Sequence, residues 1–250
     1  MKFLFKPISN RKQVGGKRSH GAIKYLVIHD TGNPGTGAGA MAHYKYLQSA
    51  TRPGSAHYYL DDKEIIQTIG DSRIAWSIGD KWGYKNNPKR IKDARNANSL
   101  SIELCINRDC NQAKAYKNLV ELTKNLMKKF NIPASRVIRH FDATGKTCPG
   151  SWSGQGWAKW WAFKEDIKKP IEWEIDLSKD STFGEAKKEV KKEEKKMGKD
   201  YEGHWAEKEI EEVKAAGIMT GMPDGAFKPD QPITRAEVAV IMARMLKKSR

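Results

Sequence analysis

The sequence predicts an α/β fold: a central mixed β-sheet flanked by helices, followed by a small all-α helix–loop–helix module. Three observations carry this. Short apolar or alternating runs such as Lys24 to Ile28 and Leu100 to Ile106 have the length and period of strands. Between and after them lie longer stretches with apolar residues three and four apart, as helices packed on a sheet require. From about Asp200 the pattern changes to two helical segments around a turn-rich loop.

In order, residues 1–23 are basic and Gly-containing and are expected to wrap the domain edge. Lys24 to Ile28 reads as a buried strand with His29 at its mouth, where function usually sits in open sheets. Asn33 to Gly39 is a Gly-rich loop; it lacks the Gly-Lys-Ser/Thr ending of a phosphate cradle. Ala40 to Gln48 has helical character. Tyr58 to Asp61 and Glu64 to Ile69 read as strands joined at Asp62-Lys63, Ile74 to Ile78 as a further strand, and Lys81 to Ala97 as a polar loop. In the strand from Leu100, Ile102, Leu104 and Ile106 alternate with Ser101, Glu103 and Cys105, so Glu103 falls on the face opposite the aliphatic side chains. A carboxylate there is unusual, because strands are depleted in Glu. Ala113 to Phe130 is the clearest helix, with Tyr116, Leu119, Val120, Thr123, Met127 and Phe130 on one stripe and its lysines expected in solvent. Asn131-Ile132-Pro133 ends it; Val137 to His140 is a short strand, and Trp157 to Ile167 an aromatic helix.

The net charge is +16 over 250 residues, with a mean hydropathy of −0.73. It is uneven: 30 Lys+Arg against 13 Asp+Glu over residues 1–169, and 16 against 17 over 170–250. A basic body is steered toward polyanions. No Arg/Lys–aromatic nucleic-acid module is visible, so no specific nucleic acid is expected. Cys105, Cys110 and Cys148 do not make a disulfide framework. Cys105 reads as a small buried hydrophobe and Cys110 as a loop thiol. The apolar run at the N-terminus is too short for a signal peptide, and no stretch approaches the ~20 apolar residues of a spanning helix. The expectation is synthesis in a reducing cytoplasm, with no membrane partner.

Chemistry concentrates in Arg139-His140-Phe141-Asp142-Ala143-Thr144-Gly145-Lys146-Thr147-Cys148-Pro149, which offers an imidazole, an ammonium and a thiol. Imidazole and thiolate suit Zn²⁺, but two ligands do not make a site, and His29 is the candidate third. The pair Y-L-V-I-H-D-T-G-N and R-H-F-D-A-T-G-K-T-C-P, with A-H-Y-K-Y-L, S-A-H-Y-Y-L-D-D, A-W-S-I-G-D and N-A-N-S-L-S-I-E in order between them, resembles the type-2 N-acetylmuramoyl-L-alanine amidases. That resemblance implies a zinc-dependent peptidoglycan hydrolase with His29, His140 and Cys148 as ligands, Glu103 as acid/base and Lys146 as transition-state donor. The sequence departs from that pattern at Ser77, where His is common, at Ser101, where Gly is common, and at Ala56, where some relatives carry Tyr. His43 and His57 are expected to be structural or to line the substrate site, and Asp30 and Asp142 are candidates for orienting the ligands.

Pro170 to Thr182 reads as a link. Glu185 to Lys196 is nearly all Ala, Glu, Lys and Val, with Glu185/Lys188, Glu189/Lys192 and Glu193/Lys196 three apart, as in an exposed salt-bridged helix. His204 to Val213 leads to Gly217, a good C-cap, and Thr234-Arg235-Ala236-Glu237 forms a capping box before the apolar stripe Val238, Ile241, Met242, Met245 and Leu246. G-H-W-A and D-G-A-F-K-P-D-Q-P-I-T-R-A-E resemble one S-layer-homology repeat. This implies anchoring to a secondary cell-wall polysaccharide, with Trp205 and Arg235 as contacts. That family commonly carries three repeats; about 45 residues have a marginal core alone, so association into a homo-oligomer is one expectation. The domains expected are 1–169 (zinc amidase), 170–199 (charged linker) and 200–250 (wall-binding module). A wall hydrolase without a signal peptide would be an endolysin from a phage or prophage, reaching the wall after release. The competing readings are a non-catalytic peptidoglycan binder on the same scaffold, a cysteine peptidase using Cys148 and His140, and a wall-anchored structural protein.

Overall fold

Alternation along β3 (Tyr25–Asp30) and β7 (Ser99–Leu104) sorts their side chains onto two faces of one sheet. In this computed structural model, which describes residues 2–79, 91–180, 200–221 and 226–248, the chain forms two compact units, Met1–Gly184 and Glu185–Arg250. The first unit holds the sheet. Its other strands are β1 (Lys2–Phe5), β4 (Tyr58–Leu60), β5 (Glu64–Gln67) and β8 (Val137–Arg139), in the order β1-β5-β4-β7-β3-β8. Only the β4–β5 pairing is antiparallel, which gives the mixed sheet expected. β2 (Val14–Lys17) and β6 (Arg73–Ala75) form a separate antiparallel ribbon. The first 23 residues therefore do more than wrap an edge, since they contribute a strand to each sheet.

On one face, Leu26 and Ile28 of β3, Leu100, Ile102 and Leu104 of β7, Tyr58 and Leu60 of β4 and Val137 of β8 form one cluster with two helices. These are α2 (Gln112–Phe130), through Leu119, Leu122, Leu126 and Phe130, and α4 (Ala158–Asp166), through Trp160 and Phe163. Each fully buried side chain of this kind contributes about 1.5–3 kcal/mol. On the other face, α1 (Ala40–Ser49) covers Tyr59 and Ile66 with Ala40 and Leu47, while Ala94 and Ala143 cover Tyr25, Val27 and Ile138. The site lies on this second face, where the strands end.

α2 corrects one expectation. Lys124 is only 4% exposed, and its ammonium pairs with the buried Glu121 at 2.5 Å. The cause is residues 170–180, the expected start of the linker, which lie along α2 inside the first unit. Lys124 Nζ donates to Pro170 O, the Glu172 N–H donates to Glu121 Oε2, and Asn125 bonds both Trp173 O and the Ile175 N–H. Ile175 and Leu177 join the core, and Asp180 Oδ2 accepts from the Asp71 N–H at 2.6 Å and from Gln67 Nε2 at 2.7 Å. Cys105 is buried as expected; Cys110, expected as a loop thiol, is buried too.

The second unit contains α5 (Glu207–Ala215) and α6 (Arg235–Lys248). The capping box forms: the Thr234 N–H donates to Glu237 Oε2, and the Glu237 N–H donates to Thr234 Oγ1. Gly217 ends α5 at φ +60°, where a side chain would be strained. The stripe on α6 does not form a core: Val238, Met242, Met245 and Leu246 are exposed, and among the described residues of this unit only Tyr201, Ile210 and Ala226 are buried apolar side chains. The salt-bridged helix expected over 185–196 lies outside the described residues. No helix among them is long and apolar enough to cross a membrane.

Candidate active site

Strand register assembles the site. In the parallel pairs, Glu103 of β7 stands opposite His29 of β3 on one side and Tyr59 of β4 on the other. Across β3 and β8, Ile28 is opposite Arg139, so the next residues, His29 and His140, come side by side with ring centroids 4.7 Å apart. Tyr59, Glu103, His29 and His140 thus form a row across four neighbouring strands.

His140 does not end a strand, as expected from the sequence; it begins α3 (His140–Thr144). Asp142 caps this helix by accepting from the Arg139 N–H at 2.8 Å. Gly145 follows at φ +94° and turns the chain back. The return segment is tied down by the Phe141 N–H, which donates to Cys148 O at 3.0 Å. This sets Cys148 Sγ 3.7 Å from His29 Nδ1.

His29, His140 and Cys148 are 2%, 3% and 5% exposed, and their candidate ligand atoms all lie within 4.8 Å of one another. Metal–ligand bonds of about 2.0–2.3 Å in a tetrahedron put ligand atoms about 3.3–3.6 Å apart, so the cluster needs only a small contraction to hold one ion. The unsatisfied polar atoms agree. His29 Nε2, both ring nitrogens of His140 and Glu103 Oε2 are buried without a hydrogen-bond partner, which is costly unless a ligand meets them. Burial, then the charges of His140 and Lys146, holds His29 well below the ordinary imidazole range; burial and Lys146 push His140 down to about 4. Both rings are therefore neutral near pH 7, the form that binds a metal. Burial, then Glu103, pushes the Cys148 thiol up to about 12. A dication in contact reverses this and deprotonates the sulfur.

Glu103 is 18% exposed, with Oε1 3.9 Å from His29 Nδ1. Burial and the nearby Asp30 push it up to about 8, against the pull of Lys146; a cation beside it opposes that rise. Lys146 is exposed on the return loop, and its charge acts on His29, His140, Glu103 and Cys148.

Other residues singled out in the sequence have different roles. His57 Nδ1 accepts from the Ser101 N–H at 3.1 Å, a structural bond under β7. His43 stacks on Tyr59 with centroids 5.5 Å apart. Asp30 accepts from the Ser151 N–H at 2.6 Å and Asp142 pairs with Arg139, so both hold backbone and guanidinium rather than ligand rings. The two serine departures meet, for the hydroxyls of Ser77 and Ser101 hydrogen-bond each other. At the third departure, the Ala56 N–H donates to the Tyr59 hydroxyl at 3.2 Å. Sequence reasoning missed Tyr59; its signal was the shared alternation of β4 and β7. In the second unit Trp205 is 88% exposed and Arg235 is exposed at the start of α6.

The family model for N-acetylmuramoyl-L-alanine amidase matches residues 19–151, and that for the S-layer homology domain matches residues 199–239. The chain is 34% identical over 145 residues to the N-acetylmuramoyl-L-alanine amidase CwlH of Bacillus subtilis (strain 168), covering 58% of this chain and 53% of that protein. The chain thus spans about half the length of that relative. Among solved structures, the catalytic domain of XlyA aligns with a TM-score of 0.56 at 30% identity, over 67% of this chain and 99% of that one. A mutant endolysin from Bacillus subtilis aligns at 0.55 and 32%, over 67% and 99%. With a match across more than half its length, lying over the row of site residues just described, this chain belongs to the N-acetylmuramoyl-L-alanine amidase family and carries an S-layer homology domain behind it.

Proposed function

We propose that the chain is a zinc-dependent N-acetylmuramoyl-L-alanine amidase that cuts the amide between the lactyl group of N-acetylmuramic acid and L-alanine in peptidoglycan. The convergence of His29, His140 and Cys148 beside Glu103 is the observation that carries this reading. Those three side chains would hold Zn²⁺, which supplies a Lewis acid and acidifies water at the groove. Glu103 accepts the proton of the attacking water as its oxygen adds to the carbonyl carbon. As the C–N bond breaks, Glu103 returns that proton to the departing nitrogen, so the products are a free L-alanine amine and a lactyl carboxylic acid, which then ionises by releasing the water's second proton to solvent. Lys146, solvated but within electrostatic reach, donates to the oxyanion that develops on the carbonyl oxygen.

A cysteine peptidase fits less well. A nucleophilic thiol needs access and a depressed pKa, whereas Cys148 is buried and pushed up, and the ring nitrogen 3.7 Å from its sulfur belongs to His29 rather than His140. A non-catalytic binder would not need the unpartnered Glu103 Oε2 beside the cluster. The likeness to an endolysin supports a lytic role at the cell wall. The S-layer homology match supports retention there through a wall polysaccharide, for which the exposed Trp205 and Arg235 are the contacts. Self-association through the single S-layer homology match is read by the mass of the full chain in solution. Digestion of purified wall, followed by mass analysis, tests the activity. Free stem peptides beginning with L-alanine are expected; new reducing sugar ends or internal peptide cuts in their place would reject it.

A further inference from the structure

The positive charge of the first unit is concentrated as well as large. Residues 1–60 contain nine Lys and Arg against one acid, Asp30, whose carboxylate accepts from the Ser151 N–H. Five of the nine, Lys6, Arg11, Lys12, Lys45 and Arg52, gather around α1, the helix on the face of the sheet that carries the site. Residues 6–10 run beside this helix. Lys6 Nζ lies 5.4 Å from the centre of the Tyr44 ring, and Ser9 donates through its N–H and its hydroxyl to Gln48 Oε1 at 3.1 and 2.9 Å. Asn10 Nδ2 donates to Leu47 O and Ala50 O, each at 2.9 Å. A 3-10 turn, Arg11–Gln13, follows. From it the buried Gln13 donates to Ala50 O and Arg52 O at 3.3 and 2.7 Å and accepts from the Gly54 N–H at 3.0 Å. These bonds tie separate segments into one fixed surface along a helix about 15 Å long.

Two ordinary uses of such cations are absent here. Free carbonyls at a helix C-terminus attract Lys and Arg, but the neutral amides of Asn10 and Gln13 occupy those of α1. Acids do not match them either. Among the described residues none of the five forms an ion pair, whereas Lys124, Lys128, Lys129, Lys168 and Lys169 of the same unit all do. Arg11, Lys12, Lys45 and Arg52 are exposed. Like charges held on one rigid face repel one another, and an anion that spans them relieves the repulsion.

We propose that this face binds a linear polyanion of the cell wall with a phosphodiester in each repeat. Such a chain meets several of the cations at once, as a single small anion does not. The surface needs neither the metal cluster nor Glu103; the choice of a wall polymer over other polyanions rests on the amidase reading, which puts the chain at the wall.

The test is fluorescence anisotropy of end-labelled poly(glycerol phosphate), titrated with the full chain at about 0.1 M salt. Saturable binding that weakens as salt rises is expected. Arg11→Gln, Lys12→Gln and Arg52→Gln together remove three contacts. At about 0.7 counterion per contact, affinity should fall about 100-fold and the slope of log affinity against log salt should shrink by about 2. Arg11→Lys with Arg52→Lys keeps the charge and should bind as the parent does. Lys114→Gln, Lys117→Gln and Lys159→Gln together remove the same charge from exposed positions on α2 and α4, at the other face of the sheet. Their loss should be less than about threefold, because salt screens charges more than about 10 Å away. Equal loss in the two triple variants would mean general attraction and overturn the proposal. So would no saturable binding by the parent, or tighter binding of a thymidine oligonucleotide of equal charge. A parent that binds the polymer through this face but frees no L-alanine-ended peptide from wall would sink the amidase reading and leave the surface standing; one that frees the peptide and ignores the polymer would do the reverse.

Discussion

Asp180 lies 29 residues beyond the matched family region, which ends at 151, yet it reaches under the sheet. Its Oδ2 is the acceptor for the Asp71 N–H at 2.6 Å and for Gln67 Nε2 at 2.7 Å, and Asp71 is fully buried. Asp180→Ala leaves that N–H without its acceptor. A buried donor left unsatisfied costs about 1–3 kcal/mol, and losing a hydrogen bond to a charged group about 1.5 more. Gln67 Nε2 keeps Asp71 Oδ1 at 3.0 Å, and removing a carboxylate near Asp71 relieves repulsion, so the sum is reduced. The net expectation is about 2–3 kcal/mol, or roughly 4–12 °C in Tm for a unit of this size. Asp180→Asn keeps an acceptor and should cost less than half as much. Thermal and urea unfolding of the full chain, followed by tryptophan fluorescence, measures both. An unchanged midpoint in Asp180→Ala would refute the idea that residues 170–180 are part of the first unit's stability.

Three other predictions concern charge and ligation. Lys129 Nζ lies 2.8 Å from Asp71, whose pKa burial raises and Lys129 lowers, so Lys129→Met raises it further. A carboxyl raised in the folded state favours folding below its unfolded pKa, about 3.9, and loses that advantage as pH rises through the folded value. The destabilisation by Lys129→Met should therefore be largest at neutral pH and fade on acidification, as urea midpoints across pH 4–8 would reveal. Lys146→Met should lower kcat about 10²–10³-fold with metal content unchanged; a loss of metal instead would place Lys146 in the fold rather than the chemistry. Cys148→Ser should weaken zinc binding by at least about 100-fold, read by competition with a chromophoric chelator.

Much of the site was legible because its parts are chemically unusual where they stand. His29 closes an apolar run, Glu103 interrupts the second face of a strand, and Cys148 follows Lys146 in a loop with few alternatives. What could not be read was their arrangement. Pairing between β3 and β7 joins residues more than 70 positions apart, and no local period announces that His29 stands opposite Glu103. β1 and β2 are hard to read because four-residue strands with one buried residue each, a glycine in β2, leave little pattern. The lysines of α2 read as solvated because a helical stripe marks what faces the sheet, while Glu121 and Lys124 are buried by residues 170–180 on another side. The Thr234 capping box was legible because both partners are three residues apart, but the exposure of the α6 stripe depends on what it packs against.

In the proposed site two imidazoles and one thiolate hold a single cation next to Glu103. X-ray absorption at the zinc edge, on the full chain loaded with one equivalent of Zn²⁺, tests it most directly. One sulfur near about 2.3 Å and two imidazole nitrogens near about 2.0 Å are expected, with a lighter atom completing the set. A spectrum lacking the sulfur, or a chain that retains no stoichiometric zinc, would contradict it.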